Sequence, residues 1–189
     1  MKRKIFMVGI MAAVMIGTIS LPCNSVTGIQ AAVIKAQPKV RNLNSAEIEV
    51  FRSKLYSSIN AYRKSNKRKT LSKNTTLQKS ATLRAKELPK KYSHTRPNGK
   101  SCFTVFSSRS IGTTNGENLT KVTFVAKSSY STVMLNNMVE SVMKALKKSS
   151  SHRQIMLNSK YTKNGIGIYA VKNGNTITLY SAQHFSNKT

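Results

Sequence analysis

The sequence predicts an α+β domain, and three observations carry that reading. Apolar residues recur at three- and four-residue steps over 48–62, 77–88 and 135–146, the spacing of a helix with one buried face. Beyond residue 165 the period drops to two on either side of Asn173-Gly174, the pattern of two strands joined by a tight hairpin. Helices and strands do not alternate as repeated βαβ units, which excludes a doubly wound parallel sheet.

The N-terminus reads as an address. Met1-Lys2-Arg3-Lys4 is a basic start, Ile5 to Leu21 is an apolar run, and the small residues Ala31 and Ala32 follow. This predicts a signal peptide over 1–31, cleaved after Ala31, in preference to a retained membrane anchor. Pro22 before Cys23 and Ser20 three positions back fit a lipoprotein site poorly. The mature protein is expected to be secreted, with no transmembrane helix, and is expected to be a monomer. Residues 32–46 read as a basic linker or short docking arm, since Ala32 to Asn44 has no period and contains Gln37-Pro38. The remainder, 47–189, is one domain's worth of chain, large enough for its own core.

The first helix starts near Asn44 or Ser45, with Glu47 and Glu49 in its first turn favouring the positive end of the helix dipole. Ile48, Phe51, Leu55, Ile59 and Tyr62 form its buried face, and Arg63 to Lys69 follow as a charged loop. A second helix is predicted from about Thr75 to Leu88, stopped by Pro89. A third covers about Ser131 to Lys148, with Lys144, Lys147 and Lys148 at its C-terminal end. A short segment, His152 to Leu157, precedes the hairpin, whose Asn173-Gly174 predicts a type I′ turn.

Charge is the second strong signal. Thirty-two Lys and Arg stand against five acids, for a formal +27, which falls to +24 once Lys2, Arg3 and Lys4 leave with the leader. Such a field attracts polyanions and opposes self-association, and salt screens it within about 8–10 Å. Anionic cell-envelope polymers or lipids are the expected partners, with Arg63–Lys69, Lys86, Lys90 and Lys91 the first place to look. Specific nucleic-acid recognition is not expected, because the chain carries an export signal and no interleaved aromatic platform.

Two loop words hold the candidate chemistry. Ser93-His94-Thr95-Arg96-Pro97-Asn98-Gly99 is a turn with an ionisable mouth, and Gly116-Glu117-Asn118-Leu119 places a carboxylate on a Gly-, Thr- and Asn-rich loop. A third, Ser149-Ser150-Ser151-His152-Arg153, sets a histidine after a serine run. Five acids, all Glu, leave no Asp for a Ser-His-Asp arrangement. The serines beside His152 read as turn residues in preference to a nucleophile.

These words, in this order, resemble the CAP superfamily (cysteine-rich secretory, antigen-five and pathogenesis-related proteins), in particular its short bacterial SCP-like branch. Ile59-Asn60-Ala61-Tyr62-Arg63, the Arg84-Ala85 and Glu87-Leu88 pairs, and the closing Tyr180-Ser181-Ala182-Gln183-His184-Phe185 extend the likeness to the C-terminus. The resemblance implies an α-β-α sandwich around a small, mostly antiparallel sheet. It also implies a cleft in which His94, Glu117 and His152 take three of the four places that two His and two Glu fill in better-known members, some of which bind zinc. The fourth place falls on Ser149, and Glu140 is not the matched position. The ligand-binding candidates are therefore His94, Arg96, Glu117, Asn118, Ser149 and His152. His94, Glu117 and His152 are the candidates for metal binding or catalysis, with zinc or another divalent cation the implied cofactor. Spacing alone does not define a metal motif here, and loop-pinning hydrogen bonds remain an equal reading of the same residues. His184 reads as a surface or edge residue and a weak ligand candidate.

Cleavage of the leader leaves Cys102 as the one cysteine of the mature chain, so no internal disulfide framework is possible. Between Ser101 and Phe103 it reads as a half-buried small hydrophobe. Three function classes follow. The first is an extracellular binding module for a small ligand, lipid or peptide, held at anionic surfaces. The others are a metal-dependent hydrolase or protease, and an envelope- or spore-associated structural protein.

Overall fold

The computed structural model describes residues 38–106 and 112–187; the expected signal peptide and the first part of the linker lie outside them. Helix α1 (Ser45–Ser65) begins at Asn44, whose side chain accepts from the Glu47 amide while Glu47 accepts from the Asn44 amide, each at 2.8 Å. This reciprocal cap satisfies two otherwise orphaned donors. Just ahead of it Arg41 clasps Glu47 at 2.7 and 2.8 Å, Asn42 donates to the Ala170 carbonyl, and Leu43 is buried.

The helix runs past Tyr62 and takes in Arg63, Lys64 and Ser65, residues that the sequence reading gave to a charged loop. The cause is Arg63, which is fully buried and donates to the carbonyls of Lys69 (2.8 Å), Met156 (2.6 Å) and Asn158 (3.0 Å). Buried cations persist where such acceptors surround them. The helix closes with bonds from Lys67 N to Lys64 O and from Arg68 N to Arg63 O, both 2.9 Å, and with Lys67 in the left-handed region at φ 57°. Glycine usually fills that place, since a side chain there costs about 1 kcal/mol.

Strand β1 (Ser72–Lys73) leads into α2 (Thr75–Glu87), capped by Asn74. Strand β2 (Asn115–Val125) precedes α3 (Thr132–Lys148), and Ser149 both ends α3 and caps α4 (Ser150–Leu157). Strands β3 (Lys163–Asn173) and β4 (Thr176–Ser186) complete the sheet. Its order is β1-β3-β4-β2, with β1 parallel to β3 and the other pairs antiparallel.

Three sequence-based expectations need correction. The Gly116-Glu117-Asn118 word is a strand, not a loop. His152 to Leu157 belongs to a helix that begins at Ser150. The hairpin's central residues are Gly174 and Asn175, and Gly174 alone has positive φ (54°), which suits a type II′ turn and not type I′.

Side chains of β3 and β4 alternate between two helical layers. Ile166, Ile168, Leu179 and Ile177 join Phe51, Leu55, Ile59, Val139, Val142 and Leu146 in the larger core under α1 and α3. On the other face Leu119, Tyr180 and Ala182 meet Ala81 and Ala85 of α2 and Leu88 at its C-terminal cap. Helix α2 lies directly on β3 because Gly165 and Gly167 have no side chains. A Cβ at Gly167 would stand 2.1 Å from Ala81 backbone atoms, and one at Gly165 2.2 Å from those of Leu77 and Gln78. The result is an α-β-α sandwich. No helix among the described residues is long and apolar enough to cross a membrane.

Candidate functional site

The site forms where α2, the turn after it and the start of β2 meet. Pro97 and Asn98 make the bend, closed by Gly99 N to Arg96 O (2.9 Å), with Gly99 at φ 81°. Cys102 N donates to His94 O at 2.9 Å, and Thr95 bridges Ser101. These backbone bonds hold His94 at the mouth, its side chain 59% exposed. Glu117 lies below it on β2, its side chain 1% exposed and facing α2.

Every oxygen of that carboxylate is engaged. Oε1 accepts from His94 Nδ1 at 2.8 Å and from Arg84 Nη2 at 3.4 Å. Oε2 accepts from Arg84 Nε and from His184 Nε2, both at 3.0 Å. Burial alone would raise its pKa, but the bonds from His184, His94 and Arg84 outweigh burial and hold the group far below the ordinary carboxylate range. Arg84, fully buried, also donates to Glu87 Oε2 (2.8 Å) and to the Ser93 carbonyl (2.6 Å). Arg96 in turn grips Glu87 at 2.6 Å and Thr104 at 3.0 Å. A continuous chain, Arg96–Glu87–Arg84–Glu117, thus fastens the turn to the helix and the helix to the sheet.

His184 corrects the sequence reading most. It is fully buried on β4, an interior strand, and is neither a surface nor an edge residue. Burial lowers its pKa, only partly offset by Glu117; Nε2 donates to Glu117, and Nδ1 lies 2.9 Å from Ser80 Oγ, whose hydroxyl donates to the Leu77 carbonyl. A signal for this existed, since His184 shares the strand face of Tyr180 and Ala182. Arg84 was also missed as a site residue. A cation inside the Ala81-Ala85-Leu88 stripe demands a buried carboxylate, and the chain has few to offer.

The other candidates scatter. Arg96 spends its guanidinium on Glu87 and Thr104. Asn118 points to the opposite face of the sheet from Glu117, where its Nδ2 donates to the His152 carbonyl at 3.1 Å. Ser149 is a helix cap, its Oγ accepting from the His152 amide at 3.4 Å. His152, half-buried in the first turn of α4, is held below its ordinary pKa by burial and by the charge of His94.

The compact donor group is His94, Cys102 and Glu117, whose ligand atoms lie within 4.8 Å of one another. Among the described residues it is a possible metal site of N, S and O donors, and it includes Cys102 but not His152. Its present bonding does not suit an ion. A metal would have to displace His94 or Arg84 from Glu117, and Cys102 would have to lose a proton although burial and Glu117 push its pKa up to about 11. Cys102 is buried, not half-buried. An open cleft of about 490 Å³ adjoins these residues, walled further by Phe103, Ile155 and Tyr161. A larger hollow of about 600 Å³ lies elsewhere, between α1 and α3, and holds none of these residues.

Comparison with known proteins agrees with the architecture. An outer surface protein of Borrelia burgdorferi superposes with a TM-score of 0.55 at 21% identity, over 79% of this chain and 100% of that one. An extracellular SCP-domain protein of Bacillus anthracis gives 0.55 at 18% identity over 77% of this chain, and a cysteine-rich secretory protein of Staphylococcus aureus gives 0.50 at 17% over 77%. This chain covers 44% and 40% of those two proteins, less than half of each. No curated protein sequence matches significantly. The sequence pattern of the cysteine-rich secretory protein family matches residues 56–185, a span that holds α2, the His94 turn, Glu117 and all of the sheet but its last residue; the chain belongs to the CAP family.

Proposed function

We propose that the protein is an extracellular CAP-domain binding module, retained at polyanionic surfaces by its charge, whose cleft beside His94 receives a small ligand, lipid or peptide. One observation carries the choice against a hydrolase. The Glu117 carboxylate is saturated by Arg84, His94 and His184, and its basicity is removed by them, so it is a poor group for activating water. The basic and apolar N-terminus supports export, and the surplus of exposed lysines supports retention on an anionic envelope.

Convergence of His94, Cys102 and Glu117 favours the second reading, a zinc-dependent hydrolase. The deciding experiment measures bound zinc and peptide and ester hydrolysis for the purified chain at micromolar zinc, beside His94→Ala and Cys102→Ser. The binding-module reading expects no zinc-dependent turnover, together with retention on an anionic polymer that salt reverses. Turnover that needs zinc and disappears in both variants would replace it with the hydrolase.

A further inference from the structure

Basic side chains are not spread evenly over this molecule. Helices α1 and α3 run parallel, since one hollow is lined by Ser53 to Ser58 with Asn136 to Glu140, and the next by Ser58 to Ser65 with Glu140 to Lys147. Their C-terminal ends therefore meet at the same pole. Exposed Lys64, Lys67, Arg68 and Lys69 come from the first, exposed Lys144, Lys147 and Lys148 from the second, and α4 brings Arg153 beside them. Contacts tie the group together. Arg153 donates to the Lys147 and Lys148 carbonyls at 2.7 and 3.2 Å, and the Lys147 ammonium lies 5.4 Å from the Tyr62 ring centre.

Lysines in a last helical turn answer the negative end of the dipole, which accounts for Lys64, Lys147 and Lys148. It does not account for Lys67, Arg68 and Lys69, which lie beyond the helix. Lys67 in particular occupies a left-handed position that favours glycine, so a cation is kept there against the backbone's preference. Carboxylates are absent from 58–69 and 141–160, and the nearest in sequence is Glu140. Among the described residues, the other four acids bond to arginines elsewhere.

Between these elements runs an open groove of about 430 Å³, lined by Arg68, Ser150, Arg153, Gln154, Asn158 and Ser159 and by one apolar side chain, Leu157. Two guanidiniums suit phosphate oxygens, and the hydroxyls and amides suit polyol hydroxyls. None of the exposed large apolar side chains lies in 58–69 or 140–160, so this pole has no wedge to insert among acyl chains.

We propose that this pole is a docking surface for a phosphodiester polymer of polyols, with Arg68 and Arg153 in the groove and the lysines following the neighbouring phosphates. The proposal rests on the polyanion-retention reading above and assigns that retention to one place.

The test is binding of the full chain to poly(glycerol phosphate) across 50–500 mM salt. Lys64, Lys67 and Arg68 are changed together to Gln, and Lys86, Lys90 and Lys91 together to Gln as a control of equal charge. The pole variant is expected to lose about tenfold in affinity, with a shallower salt dependence, and the control less than about twofold. Lys67→Gly should weaken binding while raising the denaturation midpoint, which separates lost charge from lost fold. Equal losses in the two triple variants would overturn the proposal in favour of diffuse charge and leave the retention reading standing. Failure of the unaltered chain to bind at 50 mM salt would sink both. Phosphatidylglycerol vesicles form a second arm: binding as tight as the polymer's, and lost in the same variant, would overturn the polymer in favour of a bilayer.

Discussion

At the residue scale, Glu117 decides how this site behaves. It is the shared acceptor of one arginine and two histidines, and removing its charge leaves buried Arg84 without its main partner. Glu117→Gln is therefore expected to cost about 3–5 kcal/mol, the usual cost of breaking a buried pair, measurable by chemical denaturation. The same bonds set the acid limb of stability. A carboxylate held below its ordinary value of 4.5 contributes stability that is complete above that pH and is lost as pH falls toward the folded-state value. His184 acts earlier. Its folded pKa lies below 6.5, so the unfolded chain binds the proton first and stability declines as pH drops through that value. Melting temperature followed from pH 8 to pH 3 should fall in two stages, and Glu117→Gln should flatten the lower one. A melting profile unchanged between pH 8 and pH 5 would show that His184 is not held neutral in the fold.

Elements show how much of this was legible. The three long helices could be read because Phe51, Leu55 and Ile59, then Leu77, Ala81 and Ala85, then Leu135, Val139 and Val142 repeat at helical steps and are buried. The hairpin could be read for the same reason at period two. Strand β2 could not, since Asn115-Gly116-Glu117-Asn118-Leu119-Thr120-Lys121 is too polar to look like a strand. Glu117 is buried because α2 brings Arg84 to it, Asn118 because α4 brings the His152 carbonyl, and a tertiary partner is invisible to local pattern. Of the site, the His94 turn and Glu117 were found through family likeness, whereas Arg84 and His184 depended on a packing that one sequence does not display. That packing rests on close approach. Gly167→Ala should destabilise by about 3 kcal/mol, because α2 backbone must move. Gly174→Ala, in open space, should cost only about 1–2 kcal/mol for its positive φ. Equal losses at the two would contradict the direct seating of α2 on β3. Arg63→Lys should also destabilise, by about 2 kcal/mol, since one ammonium cannot reach carbonyls spread over two elements.

For the whole molecule, charge and strand order matter most. A formal +27 with most acids bound to arginines leaves the lysines to repel one another. Raising salt from about 10 to 150 mM should therefore raise the melting temperature, because screening relieves the surface repulsion and reaches the buried Arg84–Glu117 pair far less. A fall over that range would mean that surface ion pairs dominate instead. Strand order has a consequence for how the protein is made. The sheet runs β1-β3-β4-β2, so its middle is joined by the last of its four strands in chain order. Until β4 emerges from the ribosome, β2 has no neighbour, Glu117 lacks His184, and the layers on either side have nothing continuous to cover. A nascent chain of this design cannot complete its sheet, and so remains able to thread a narrow channel, until β4 has been synthesised.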